Sequence, residues 1–193
     1  LNRPVKWTAD RGESLQSDMH GRHQITQAEM AFDAQGKILA FRTSVVIDVG
    51  AYLAFSGGVP PHNMGVSYPG MYDIPLVYAQ VRAAFTNTSM IGPYRGSGKP
   101  EASFVVERLV DQAARELNID AVTMRRTNII PASAMPYKAA NGQTYDSGEF
   151  EAVLDKALDL ADWSGFEARR ESSHRRGLLR GIGVCCFLEV AGG

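Results

Sequence analysis

Cysteine, histidine and unbalanced charge are scarce in this chain, and each shortage removes a class of function. Two cysteines stand among 193 residues, the neighbours Cys185 and Cys186. Adjacent residues on a strand point to opposite faces, so the pair is poorly placed to bridge, and a reducing, cytoplasmic setting is the simpler reading. Four histidines are present: His20 and His23 lie three apart with a glycine between them, and His62 and His174 are isolated. None of these spacings matches a zinc ligand set, so no metal directly ligated by the chain is expected. A formal net charge of −1 gives no electrostatic case for nucleic acid or an anionic membrane. No apolar run approaches the ~20 residues of a spanning helix. The start "LNRPVKW" has no signal-peptide layout, and no Gly-x-Ser-x-Gly elbow supports a nucleophilic serine.

What is present is 45% hydrophobic residues, enough for a real core at this length, and one unusual loop. In "GPYRGSGKPEASF", residues 92 to 104, glycines bracket a serine just after an arginine. A Walker loop needs four residues between its glycines and a hydroxyl after the lysine. Gly92 to Gly98 leaves five, and Pro100 holds the hydroxyl position. A dinucleotide fingerprint needs a third glycine where Glu101 stands. Pro100 suits the first turn of a helix, and Val105, Val106, Leu109, Val110, Ala113, Ala114 and Leu117 continue as an amphipathic stripe. The loop therefore brings its glycines to the positive end of a helix dipole, which favours anions. A plain strand-to-helix turn has the same residue pattern.

The remaining pattern reads as α+β, a mixed or antiparallel sheet packed with helices. Thr26, Ala28, Met30 and Phe32 alternate onto one face of a first strand, "DAQGK" turns the chain, and 38–49 returns as a second. Residues 76–89 are expected as a third strand, and "SGGVPPHNMGVSYPGMYDIP" between them as an irregular loop. Asp120 caps a short helix, "DAVTMRRTN". Asp146 with Glu149 forms a capping-box pattern for a helix striped by Phe150, Val153, Leu154, Ala157, Leu158 and Ala161. "FEARRESSHRRG" reads as a solvated face, and Leu178 to Val190 as a final strand without visible partners. The expected division is a first portion over 1–130, an irregular connection over 131–147, and a helical and strand portion over 148–193.

Two long segments carry a family resemblance. "RPVKWTADRGESLQSDMHGRHQITQAEMAFDAQGKILAFR" with "DVGAY", then "GPYRGSGKPEASFVVERLVDQAARELNIDAVTMRRTNII", resemble the molybdenum-cofactor-binding large subunit of the xanthine dehydrogenase, aldehyde oxidase and carbon monoxide dehydrogenase family. The resemblance implies a molybdopterin-binding region in which Tyr94, Arg95, Gly96, Ser97 and Gly98 lie beside the molybdenum and its ligands, with Arg95 the candidate catalytic side chain among them. It implies a cofactor in the cytosine dinucleotide form. It also implies a [2Fe–2S] small subunit and an FAD-binding medium subunit as partners, assembled as a dimer of heterotrimers.

Departures from the family pattern narrow the substrate. Where carbon monoxide dehydrogenases carry a copper-binding cysteine, this chain has Gly96, which speaks against CO. Where xanthine dehydrogenases carry a purine-stacking phenylalanine and a purine-gripping arginine, it has Ser97 and Asn63, which speaks against xanthine. Aldehydes and N-heteroaromatic rings remain, oxidised with water as the oxygen source. The family's "GGFG" loop and its general-base glutamate fall outside the sequence, so the chain is expected to be a fragment, inactive by itself, and the last-strand carboxylate Glu189 is not assigned as a base. A rival expectation is a catalytically silent structural or assembly module that kept the fold.

Overall fold

The computed structural model describes residues 2–189. Near the start lies a short helix the composition did not advertise, α1 (Arg11–Ser17), whose Asp10 and Glu13 form a reciprocal capping box. The sheet follows: β1 (Gln24–Phe32), β2 (Ile38–Gly50) and, beyond a helix, β3 (Val77–Phe85). In the order β1-β2-β3, β1 runs antiparallel to β2 and β2 parallel to β3, so the sheet is mixed and the fold α+β as expected. Strand β1 alternates as the sequence does, with Thr26, Ala28, Met30 and Phe32 on the less exposed face. The Asp33 carboxylate sets the β1–β2 turn by accepting from the Gln35 and Lys37 N–H groups at 2.9 and 2.8 Å. Phe41, Val45, Ile47 and Val49 of β2 are buried, making it the spine of the core.

Parallel pairing of β2 and β3 requires a crossover, and the Gly/Pro-rich stretch supplies it. Helix α2 (Val59–Ser67) occupies what was expected to be an irregular loop. Proline misleads here because Pro60 and Pro61 fall in the first turn, where a missing N–H costs nothing. Pro60 and Met64 are its buried contacts. Helix α3 (Lys99–Glu116) buries Ala102, Val106, Val110, Ala113 and Ala114, while Leu117 sits at its end and is exposed. In α4 (Ala121–Asn128), the Asp120 cap accepts from the N–H groups of Val122 and Thr123 at 3.0 and 2.9 Å.

Three further expectations need correction. The connection expected to be irregular contains a 3-10 turn, Ala132–Ala134, and a hairpin of β4 (Tyr137–Lys138) and β5 (Thr144–Tyr145). Its Gly142 turn is a hairpin signal that its short strands obscure. Helix α5 (Phe150–Leu160) begins too late for Asp146 to cap it, and Glu149 at the N-cap makes no side-chain cap bond. On α5 Phe150 and Leu154 are buried, but Val153, Ala157 and Ala161 are exposed. Helix α6 (Phe166–His174) is charged and mostly exposed. Finally, 178–189 is not a strand. Val184, Cys186 and Leu188 alternate against the core, but the Cys186 N–H bonds the Glu107 carboxylate at 3.0 Å instead of a neighbouring strand. Val190 lies outside the described residues.

Candidate functional site

The glycine-rich loop closes on itself before α3 begins. The Ser97 N–H donates to the Tyr94 carbonyl at 2.6 Å, and the Lys99 N–H to the Gly96 carbonyl at 3.1 Å. Gly96, Ser97 and Gly98 all have positive φ, 88°, 45° and 91°. Neither the Gly96 nor the Gly98 N–H finds an acceptor among the described residues, and Gly98 is buried. The Ser97 Oγ is buried without a partner, whereas Tyr94 and Arg95 are exposed. A β-carbon on Gly96 would meet the Pro100 ring, with Cδ at 2.6 Å. The room that Gly96 keeps free is thus occupied by the chain's own proline.

Beside the loop, Arg22, Gln24, Thr26, Pro100, Glu101, Phe104 and Val105 line an open cleft of about 510 Å³. Gln24 Oε1 and Glu101 Oε2 are buried there without hydrogen bonds. Free N–H groups at the head of an 18-residue helix and an orphaned hydroxyl are what a phosphate-bearing pterin would engage. The donor set at Gly96, Ser97 and Gly98 is chemically compatible with such a group.

Two other polar clusters are built into the fold, and neither was anticipated from the sequence. Asp48, 6% exposed, accepts from the Gly50 N–H (2.7 Å), Thr86 Oγ1 (2.7 Å), Thr88 Oγ1 (2.9 Å) and His23 Nδ1 (2.7 Å). Burial alone would raise its pKa, but the bonds from Thr86, Gly50, His23 and Thr88 outweigh it and hold the carboxyl at about 2. His23, considered as a metal ligand, is thus committed to a carboxylate, and His20 Nε2 lies 3.1 Å from the Leu15 carbonyl. In the second cluster, fully buried Arg125 donates to Glu107 Oε2 at 3.0 and 2.7 Å and to Asp111 Oδ1 at 2.8 Å. Tyr72 OH and the Cys186 N–H complete the shell of Glu107. Burial and the Glu107 charge push the Cys186 thiol up to about 11. The one sequence signal was Glu107 and Asp111 four apart, on the face of α3 that carries the stripe.

A mixed sheet crossed by helices, with an anion-suited glycine loop at a helix head, defines an α+β cofactor-binding module. The chain matches the family described as "Molybdopterin cofactor-binding domain" over residues 1–129, and it belongs to that family. It is 36% identical over 198 residues to the carbon monoxide dehydrogenase large chain of Hydrogenophaga pseudoflava, aligning all of this chain with 25% of that one. It is 30% identical over 200 residues to the nicotine 6-hydroxylase large subunit of Paenarthrobacter nicotinovorans, again over 100% of this chain and 24% of the relative. Quinoline 2-oxidoreductase from Pseudomonas putida 86 superposes with a TM-score of 0.83 at 30% identity, over 91% of this chain and 22% of that one. The chain thus spans about a quarter of the length of the curated relatives it matches. Among the described residues no helix is long and apolar enough to cross a membrane.

Proposed function

We propose that this chain is part of the large subunit of a cytoplasmic molybdenum hydroxylase that oxidises an aldehyde or N-heteroaromatic substrate. The observation that carries this reading is the loop 94–98, whose Gly96 and Gly98 N–H groups and Ser97 Oγ are left unpartnered within a family that binds molybdopterin. When bound, the cofactor, in its cytosine dinucleotide form, supplies two-electron oxidation with oxygen drawn from water. The chain's own residues bind and orient. The Gly96 and Gly98 N–H groups and Ser97 Oγ donate to anionic oxygens, and the exposed Arg95 adds positive charge where negative charge gathers. Electrons leave through a [2Fe–2S] small subunit and an FAD-binding medium subunit, in a dimer of heterotrimers.

Identity is higher to a carbon monoxide dehydrogenase than to a nicotine hydroxylase, yet overall identity reports mainly the shared scaffold. Gly96 offers no thiolate for copper, and this local chemistry weighs against CO. The names of two relatives, a nicotine 6-hydroxylase and a quinoline 2-oxidoreductase, support a ring substrate. Purification of the complete enzyme, metal analysis and assay against N-heteroaromatic compounds, aldehydes and CO in 18O-labelled water test the reading. Molybdenum without copper, and label in a hydroxylated ring or carboxylic acid, is the expected result. Copper-dependent CO oxidation would overturn the substrate class, and absence of molybdenum would overturn the whole reading.

A further inference from the structure

The stretch His20-Gly21-Arg22-His23 lacks the spacing of a metal site, and the structure gives it another task. The His20 N–H donates to the Met90 carbonyl at 3.0 Å, and the Gly92 N–H to the His20 carbonyl at 2.9 Å, docking the stretch beside the glycine-rich loop. Arg22 then reaches three points of that loop and its helix. Its Nη2 donates to the Arg95 carbonyl at 2.8 Å and its Nε to Glu101 Oε1 at 3.2 Å, while the guanidinium carbon lies 4.7 Å from the centre of the Tyr94 ring. The Glu101 side chain is 10% exposed. Arg22 itself has φ 63°, a left-handed backbone state that is costly for a non-glycine residue and persists where the surroundings impose it.

We infer that Arg22 is the positioning residue of the glycine-rich loop: by holding the Arg95 carbonyl it fixes the direction of the Gly96 N–H. The inference rests on the proposed function for what that N–H faces, but its mechanical part stands on the contacts alone. The Arg95 carbonyl and the Gly96 N–H belong to one planar peptide unit, and in a trans peptide they point in opposite directions. Anchoring the oxygen therefore aims the hydrogen. No other donor to the Arg95 carbonyl occurs among the described residues, and Gly96 has no β-carbon to limit rotation about the peptide. A freely turning N–H would be a poor donor to a bound anion, because its alignment would have to be established at each binding event. Glu101 balances the guanidinium charge, so the clamp orients the loop without adding net charge. The planar fork matters, since carbonyl, carboxylate and ring are engaged at once.

The test uses Arg22→Ala and Arg22→Lys in the complete enzyme that contains this chain. Hydrogen exchange is read on cofactor-free protein at the Ser97 and Lys99 amides, which bond across the loop, and steady-state kinetics on cofactor-loaded protein. For Arg22→Ala, exchange at these two amides is expected to rise about tenfold or more, with α3 beyond its first turn and β2 unchanged. Turnover is expected to fall about 10²-fold in kcat, as for a small misplacement of a reacting group, with KM moving far less. Arg22→Lys should restore part of both, keeping one donor and the charge but not the fork or the stacking. Unchanged exchange at Ser97 and Lys99, or an equal rise throughout α3 and the sheet, would overturn the clamp. A local rise in exchange with an unchanged kcat would leave the clamp standing and defeat instead the proposal that the loop serves the cofactor.

Discussion

At Gly98 the chain turns at φ 91° directly under α2, and a β-carbon there would lie 2.9 Å from the Met64 N and closer still to the Pro60 carbonyl oxygen. Both obstacles are backbone, which cannot swing aside. Gly98→Ala is therefore expected to destabilise the protein by at least ~2 kcal/mol, combining left-handed strain with displacement of α2 from α3. Gly58→Ala is its control, since a β-carbon at Gly58 meets nothing within 4 Å and its φ of −80° is ordinary. A change within ~0.5 kcal/mol is expected there. Urea denaturation of both variants checks the pair; similar losses at both positions would refute the steric account.

Asp48 makes the residue-scale prediction for pH. Its carboxyl titrates at about 2 in the folded chain against 3.8 for an unperturbed one, so under acid the unfolded chain takes up the proton first. The stability Asp48 contributes is complete above about pH 3.8 and is lost as pH falls toward 2. Asp48→Asn is expected to be less stable near neutrality and to show a shallower acid loss across that window, because the group that titrates there is gone. Denaturant midpoints measured from pH 6 to pH 2 decide it, and parallel curves for the two proteins would contradict the assignment.

At the scale of elements, the helices were legible where periodicity and capping agreed. The stripe expected from Val105 to Leu117 gave α3, although Leu117 itself is exposed at its end, and Asp120 gave α4. Alternation from Thr26 to Phe32 gave β1. Helix α2 was hidden because its prolines read as breakers, although the first turn is where proline fits. The strand expected over 178–190 had the right alternation, but a strand also needs a ladder, and ladder partners are not written in the local sequence. Of the candidate site, the loop itself was legible because glycine spacing is local. Arg22 was not, because its partners are 73 and 79 residues away.

The Glu107–Arg125 pair couples elements and yields the prediction for this scale. It ties α3 to α4, while Tyr72 and the Cys186 N–H bring in the chain on both sides. Arg125→Met leaves the Glu107 carboxylate buried with its countercharge gone, which typically costs about 3–5 kcal/mol. The double variant Glu107→Leu, Arg125→Met removes both charges and is expected to recover part of that loss, offset by the Tyr72 hydroxyl it strands. Equal destabilisation of the single and double variants in urea would mean that packing, and not charge burial, sets the cost.

Across the whole molecule, burial is distributed unevenly, and local stability should follow it. Strand β2 contributes Ile38, Phe41, Val45, Ile47 and Val49 to the interior and α3 contributes five apolar residues besides Glu107, whereas α5 contributes Phe150 and Leu154 and α6 a single serine, Ser173. Outside those two side chains, α5 is held by Leu158, by Trp163 just after it and by a surface ion pair of Arg126 with Asp155, and such pairs contribute little. Segments with few buried apolar contacts open below the global unfolding free energy. Native-state hydrogen exchange is therefore expected to place the amides of 150–174 in a lower-energy opening unit than those of β2 and α3, giving physical content to the division expected near 131–147. Leu154→Ala sharpens the test, because it removes one of the two buried anchors. It should lower the opening energy of 150–174 by roughly 2–3 kcal/mol while leaving β2 protected, and an equal loss of protection in β2 would show instead that the chain opens as one unit.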